Sequence, residues 1–253
     1  MLGLGNNLIS GQAPVIGFTN TQSVAFDGVD DYISVADSNS LDATGNLTVA
    51  CWTYLGDMND EGTDVDADIF FKNGAYRAFF TRPSTLSDVY KIKVKLKPGS
   101  AMLSELSVLS DAVSEAPSDA WIHIAVTYKE VGAGSDEVII YKNGAAFKSV
   151  TNETIGSLAN SGNALNIGGT ANRIFKGKID EFAVWNETLD ADAVSAVYNS
   201  GVPFDLTKNK GNYDEYTDGL VCYLRFEGDF NDSSGNGNNA SAGSEASIVT
   251  AAP

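Results

Sequence analysis

Along most of this chain short apolar runs alternate with turn chemistry, and the hydrophobic period changes to that of a helix only once. The run YKIKVKLK alternates strictly over residues 90–97, and LTVACWTYL (47–55) sets Leu47, Val49 and Cys51 against Thr48, Ala50 and Trp52. Both read as strands, the second as a central one by its aromatic content. SVAFDGVDDYISVAD gives alternating Val24 and Phe26, a tight turn at Asp27 and Gly28, and a second strand over Tyr32 to Val35. WIHIAVTYK from Trp121 and LNIGG at 165–169 add two more. IFFKNGAYRAFF and VIIYKNGAAFKSV each place Asn-Gly between apolar runs, which predicts two hairpins closed by type I′ turns.

The change of period falls in FKGKIDEFAVWNETLDADAVSAVYNSG, residues 175–201. Ile179, Phe182, Val184 and Trp185 crowd a buried strand. Val194, Val197 and Tyr198 then take helical spacing behind Asp190, a candidate N-cap, and Gly201 is placed to end the helix in the left-handed conformation. One short helix must therefore pack on the side of a β structure. Residues 1–22 are weakly patterned and read as an N-terminal arm or edge strand. Residues 23–253 read as one domain closed by a C-terminal strand at 219–228, since Leu220, Cys222, Leu224 and Phe226 would otherwise lie unburied. The fold class is all-β, an antiparallel two-sheet sandwich with a single short helix.

Composition fits that reading and narrows the partners. At 253 residues and 43% hydrophobic, the chain can bury one large core, and 25 glycines supply its turns. A net charge of -17 repels nucleic acid and anionic membranes. Two cysteines, Cys51 and Cys222, lie in apolar runs and read as buried thiols, with a long-range disulfide as the alternative. The N-terminus lacks a basic region and a sustained apolar core, so no secretory signal is expected, and no run is long enough for a membrane span.

Catalytic chemistry finds little footing. Glycosidic cleavage needs two carboxylates on one face, and Asp180 and Glu181, being adjacent on a strand, should point to opposite faces. The single histidine, His123, lies between Ile122 and Ile124 without a nucleophile that the sequence assigns to it. The acidic insert GDMNDEGTDVDAD, with Asp57, Asp60, Glu61, Asp64, Asp66 and Asp68, reads as a solvated loop or a cation-binding one, and it lacks the closing Glu of an EF-hand. Trp52, Trp121 and Trp185 sit in apolar strands and read as core residues rather than sugar platforms. No enzyme is expected.

The F-D-G-x-x-D-Y-I run from Phe26, the W-I-H-I-A-V-T-Y strand, the V-x-x-Y-K-N-G hairpin, L-N-I-G-G and G-x-I-D-E-x-x-x-W resemble, in order and spacing, the laminin-G-like domains of the concanavalin A-like lectin and glucanase superfamily. The resemblance covers roughly residues 23–241 and implies a jelly-roll sandwich whose commonest activity is carbohydrate binding. It also implies a structural calcium site drawing on Asp27, Asp30 and Asp180, with the D-S-S-G-N-G-N turn, Asp232 and Asn236, as a second candidate. The helix followed by Y-N-S-G-V-P-F-D-L and G-L-V-C-Y-L-R-F is similar to the layout in structural proteins of tailed, especially marine, bacteriophages. This implies a non-catalytic virion surface protein, a capsid decoration or tail-fibre component, made in the host cytoplasm. Its expected partners are other virion proteins, host-surface glycans and further copies of itself in a homo-oligomer. The alternatives are an extracellular bacterial adhesin, a carbohydrate-binding module of a larger secreted protein, and a glycan-degrading enzyme.

Overall fold

The fold is given by a computed structural model that describes residues 18–56, 65–82, 90–97, 99, 106–114, 120–169, 173, 175–214 and 219–253. The described chain forms, in order, β1 (Ser23–Asp27), β2 (Tyr32–Val35), β3 (Asn46–Leu55), β4 (Val65–Lys72), β5 (Tyr76–Arg82), β6 (Tyr90–Leu96), β7 (Leu106–Ser114) and β8 (Trp121–Lys129). It continues with β9 (Asp136–Lys142), β10 (Ala145–Glu153), β11 (Leu165–Ile167), β12 (Lys176–Trp185), helix α1 (Ala191–Tyr198), β13 (Leu220–Leu224), β14 (Ala240–Gly243) and β15 (Ser247–Val249). Two antiparallel sheets result. The first has the order β10-β9-β8-β3-β12-β1-β15 with β13 also on β12, and the second β14-β2-β11-β4-β5-β6-β7. This is the antiparallel sandwich with one short helix that the hydrophobic pattern predicts.

Alternation decides what lies between the sheets. Leu47, Val49 and Cys51 of β3 enter a core with Ala78 and Phe80 of β5 and with Ile92, Val94 and Leu96 of β6. Phe175, fully buried, bridges the layers, edge-on to Phe26 at 5.9 Å and stacked on Phe80 at 6.1 Å. Each such side chain contributes about 1.5–3 kcal/mol by leaving water. Both cysteines are buried and free.

A second, smaller core lies outside the first sheet. There Val194 and Val197 of α1, with Leu206 and Tyr213 of the following segment, cover Ala50, Ala125, Ala183 and Trp185. Asp190 caps the helix by accepting the Ala193 N–H. The helix ends at Tyr198, three residues before Gly201, because Asn199 already takes the left-handed conformation at φ 50, a position where asparagine is tolerated.

Three further local expectations are revised. Asn143 and Gly144 both have positive φ, as a type I′ turn requires, but at the other hairpin only Gly74 does. There Lys72 pairs with Tyr76, leaving a three-residue loop. Residues 57–64 of the acidic insert lie outside the described residues, whereas Asp66 and Asp68 belong to strand β4 and not to a loop. The turn-rich C-terminal run supplies β14 to the edge of the second sheet and β15 to the edge of the first. Gly243 permits the former, since a Cβ there would lie 2.1 Å from the Tyr32 ring.

Candidate functional site

β1 and β13 flank β12 on the same side, end to end, and the junction between them is irregular. Asp180 opposes Trp52 and Ala183 opposes Ala50, so β12 carries one extra residue, and Glu181 takes φ 49. This is a β-bulge. It corrects the expectation from simple alternation: Asp180 and Glu181 both lie on the outer side of the first sheet, where Trp52, Ala50 and Ala183 also project.

The two carboxyls are nevertheless shut away, at 0% and 4% exposure. Asp180 Oδ1 accepts the Glu181 N–H at 2.9 Å, while Oδ2 meets no hydrogen-bond partner. The Tyr223 hydroxyl donates to Glu181 Oε2 in a short contact, and Arg225 Nε lies 3.7 Å from Oε1. Burial raises the Asp180 carboxyl to about 8 against the pull of the Asn20 side chain, the Glu181 N–H and Arg225. Burial and the neighbouring Asp180 raise Glu181 well above the carboxylate range. The gap beside Glu181, under Phe204, Leu206 and Val197, measures about 10 Å³, room for one water at most. The pair shares a face but, among the described residues, opens onto no cleft that a polysaccharide could enter.

The resemblance-derived cation residues separate. Asp27, Asp30 and Asp31 offer carboxylate oxygens within 4.8 Å of one another, a hard-oxygen set suited to calcium. Part of that set is already engaged: Asp31 accepts N–H groups from Asp27 and Glu245, and Asp27 Oδ1 accepts that of Val29. Asp180 is not with them, since Asp27 pairs with Lys176 and the strand rise puts Asp180 about 13 Å further along. Asp232 spends both oxygens on protein donors, the N–H groups of Tyr223, Ser234 and Asn238 and the Ser234 hydroxyl. Asn236 turns its amide inward to the Leu220 carbonyl. That second turn is committed to its own backbone and does not fit a cation.

His123 is buried between the rings of Trp52 and Tyr198, at 5.2 and 5.8 Å. Desolvation lowers its imidazole to about 3, so it is neutral and inaccessible. Trp52 and Trp185 are core residues, while Trp121 is half-buried against Tyr54.

Helix α1 covers the middle of the first sheet, while Tyr54, Trp121 and Lys178 stay half-buried on its outer face; the outer face of the second sheet carries polar groups in register. Pairing registers align one residue from every strand into a row: Ser241, Ser34, Asn166, Phe71, Arg77, Lys95 and Ser107. Strands lie about 4.8 Å apart, so the row crosses the sheet with hydrogen-bonding groups around a half-buried ring. Beside it, Phe71, Arg77, Lys95, Lys97 and the hairpin backbone at Asn73 and Gly74 line a pocket of about 140 Å³. Arg77 Nε donates to Asp68 in a short ion pair beneath this surface. Burial raises Asp68 to about 8, and Arg173 works against it. The sequence shows the alternation of these strands but not the row, which depends on cross-strand register.

Two facing antiparallel sheets, with one short helix packed on the first, define a lectin-like sandwich. Residues 27–195 match the concanavalin A-like lectin/glucanases superfamily of laminin-G type, and the chain belongs to that family. Among solved structures it is similar to a Bacteroides ovatus protein assigned as carbohydrate-binding, with 18% identity and a TM-score of 0.61 over 92% of this chain and 61% of that one. It is also similar to a heptameric SAP-like pentraxin from Limulus polyphemus, with 12% identity and a TM-score of 0.53 over 92% and 96% of the two chains. The botulinum neurotoxin serotype G binding domain gives 16% identity and a TM-score of 0.51 over 70% and 42%. At these identities the likeness is one of fold, and this chain spans about three fifths of the Bacteroides protein. No curated protein matches it in sequence.

Proposed function

We propose that this chain is a glycan-binding module that holds its ligand without transforming it, and that the outer face of the second sheet is where the glycan lies. The observation that carries the reading is the transverse row from Ser241 to Ser107. It offers hydroxyl and amide groups with the half-buried Phe71 ring among them, the mixture of apolar surface and polar contacts that orients a bound small molecule or sugar, while Arg77 is buried against Asp68. Burial of Asp180 and Glu181 supports binding over cleavage. Display on a bacteriophage particle, as a capsid decoration or fibre component in a homo-oligomer, is supported by the similarity of the segment from α1 to β13 to tailed-phage structural proteins.

A glycan array probed with the full chain tests binding, and polysaccharides bound on the array are then assayed for new reducing ends. Binding without turnover, weakened by Phe71→Ala and Asn166→Ala, is the expected result. Reducing ends that disappear in Glu181→Gln would overturn the non-catalytic reading. Antibody labelling of particles by electron microscopy tests the virion setting.

A further inference from the structure

The chain carries 16 lysines and arginines against 33 acidic residues, yet the cations are not spread evenly. Strand β6 alternates buried Tyr90, Ile92, Val94 and Leu96 with outward Lys91, Lys93 and Lys95, and Lys97 follows. Alternate residues on a strand stand about 6.6 Å apart, so these lysines form a stripe along the open face.

Cross-strand partners widen the stripe. Arg77 lies opposite Lys95, and Phe79 opposite Lys93. The Phe79 ring, 1% exposed, lies under three cations: Arg77 Cζ at 4.2 Å, Lys93 Nζ at 6.0 Å and Arg173 Cζ at 6.0 Å from its centroid. Ring faces attract cations, which holds like charges together that would otherwise separate. Six of the chain's 16 cations thus share one quadrant, with Asp66 and Asp68 on the neighbouring strand β4 and Asp111 in the sequence of β7. Lys72, at the same hairpin, is different: it is fully buried and bonded to Asp37 and to the Asn163 carbonyl. In the stripe, Lys91, Lys93 and Lys95 are half-buried and Lys97 is exposed.

We infer that the β5–β6 quadrant of the open face binds an anionic polysaccharide, one bearing sulfate or carboxylate groups along its length. The inference rests on the glycan-binding reading and specifies its ligand. Nucleic acid fits less well. Duplex DNA is a stiff rod over about 150 bp whose phosphates wind around its axis, so few of them could follow the lysines of a single strand. The rings here also lie beneath cations, where bases could not stack on them. A flexible single-chain polyanion can lay its charges along the lysines while its sugar rings lie across the row from Asn166 to Arg77.

The test uses the full chain and measures affinity for size-matched dextran sulfate, polygalacturonate, uncharged dextran and duplex DNA at several salt concentrations. Dextran sulfate or polygalacturonate is expected to bind, with uncharged dextran at least tenfold weaker. The triple variant Lys91→Gln, Lys93→Gln, Lys97→Gln is expected to lose at least tenfold in affinity and to reduce the salt slope by about 2 to 3. Lys208→Gln, on the helix side, serves as the control and is expected to leave binding unchanged. Which polymer binds distinguishes sulfate from carboxylate. If neutral glycans bind and the triple variant changes nothing, the charge inference fails while the glycan-binding reading stands. If no array glycan and no polymer binds, the glycan-binding reading itself fails. Equal losses in the triple and control variants, or DNA binding as tight as dextran sulfate, would also overturn the inference.

Discussion

Replacing Asp180 with asparagine isolates the charge state of the β12 bulge. Asp180 is fully buried, one of its oxygens has no partner, and Glu181 beside it is 4% exposed, so ionising it removes a charge from water with little in return. Burial raises its pKa from 3.8 to about 8. The native state therefore keeps a proton that the unfolded chain releases between pH 4 and 8, and stability falls as pH rises through that window. At 1.36 kcal/mol per unit the ceiling is roughly 5 kcal/mol, of which about 3–4 falls between pH 5 and pH 8. Asp180 and Glu181 titrate as a pair, so the pH dependence belongs to both. Urea unfolding of the wild type and Asp180→Asn at half-unit steps from pH 5 to 8.5 measures it. The wild-type curve should fall more steeply, by about 2–4 kcal/mol across the range, because self-repulsion from net charge acts almost equally on the two proteins. Parallel curves, or a carboxyl carbon resonance titrating near pH 4, would refute the argument.

Other sites give independent tests. Asp136 accepts backbone N–H groups from Val131, Gly132, Ile155 and Gly156, all at 2.8 Å. Desolvation raises its pKa, but the four donors outweigh it and hold the group below its usual value. Asp136→Ala should cost about 3–5 kcal/mol in urea unfolding, with the wild-type advantage shrinking as pH falls below the unfolded value of about 4. Gly168 has φ 83, and a Cβ there would lie 2.0 Å from the Phe26 ring. Gly168→Ala should therefore lower stability by about 3 kcal/mol or more, through backbone strain and overpacking together, read as a fall in unfolding midpoint. Calcium bound through Asp27, Asp30 and Asp31 would raise the thermal midpoint with calcium concentration, by about 2.7 kcal/mol at a hundredfold excess over Kd. The gain should vanish in Asp30→Ala, and a midpoint indifferent to both calcium and chelator would exclude the site.

Alternation and turn chemistry made the sandwich legible because each strand's inward residues are apolar in sequence, as Leu47, Val49 and Cys51 are. Three features were hidden for one physical reason: they depend on what lies beside a residue rather than before and after it. Simple alternation sends Asp180 and Glu181 to opposite faces, and only the pairing of β12 with β3 reveals the extra residue that unites them. The weakly apolar run from Ala240 to Val249 becomes two edge strands because β2 and β1 present unpaired edges to it. The alternation of YKIKVKLK was plain, but that its lysines meet Arg77 and Arg173 over Phe79 follows from register.

The same bulge links the two faces of the molecule. It turns both carboxyls outward on the first sheet, where the cover of α1, the segment through Tyr213 and the Tyr223 hydroxyl buries them at a desolvation cost. On the second sheet the outward row is serine, asparagine, arginine and lysine with the Phe71 ring among them. An apolar surface of that extent would invite a helix or a second sheet. On the glycan-binding reading, this row would meet a hydrated ligand with serines at both ends, Ser241 and Ser107, and Phe71 near its middle.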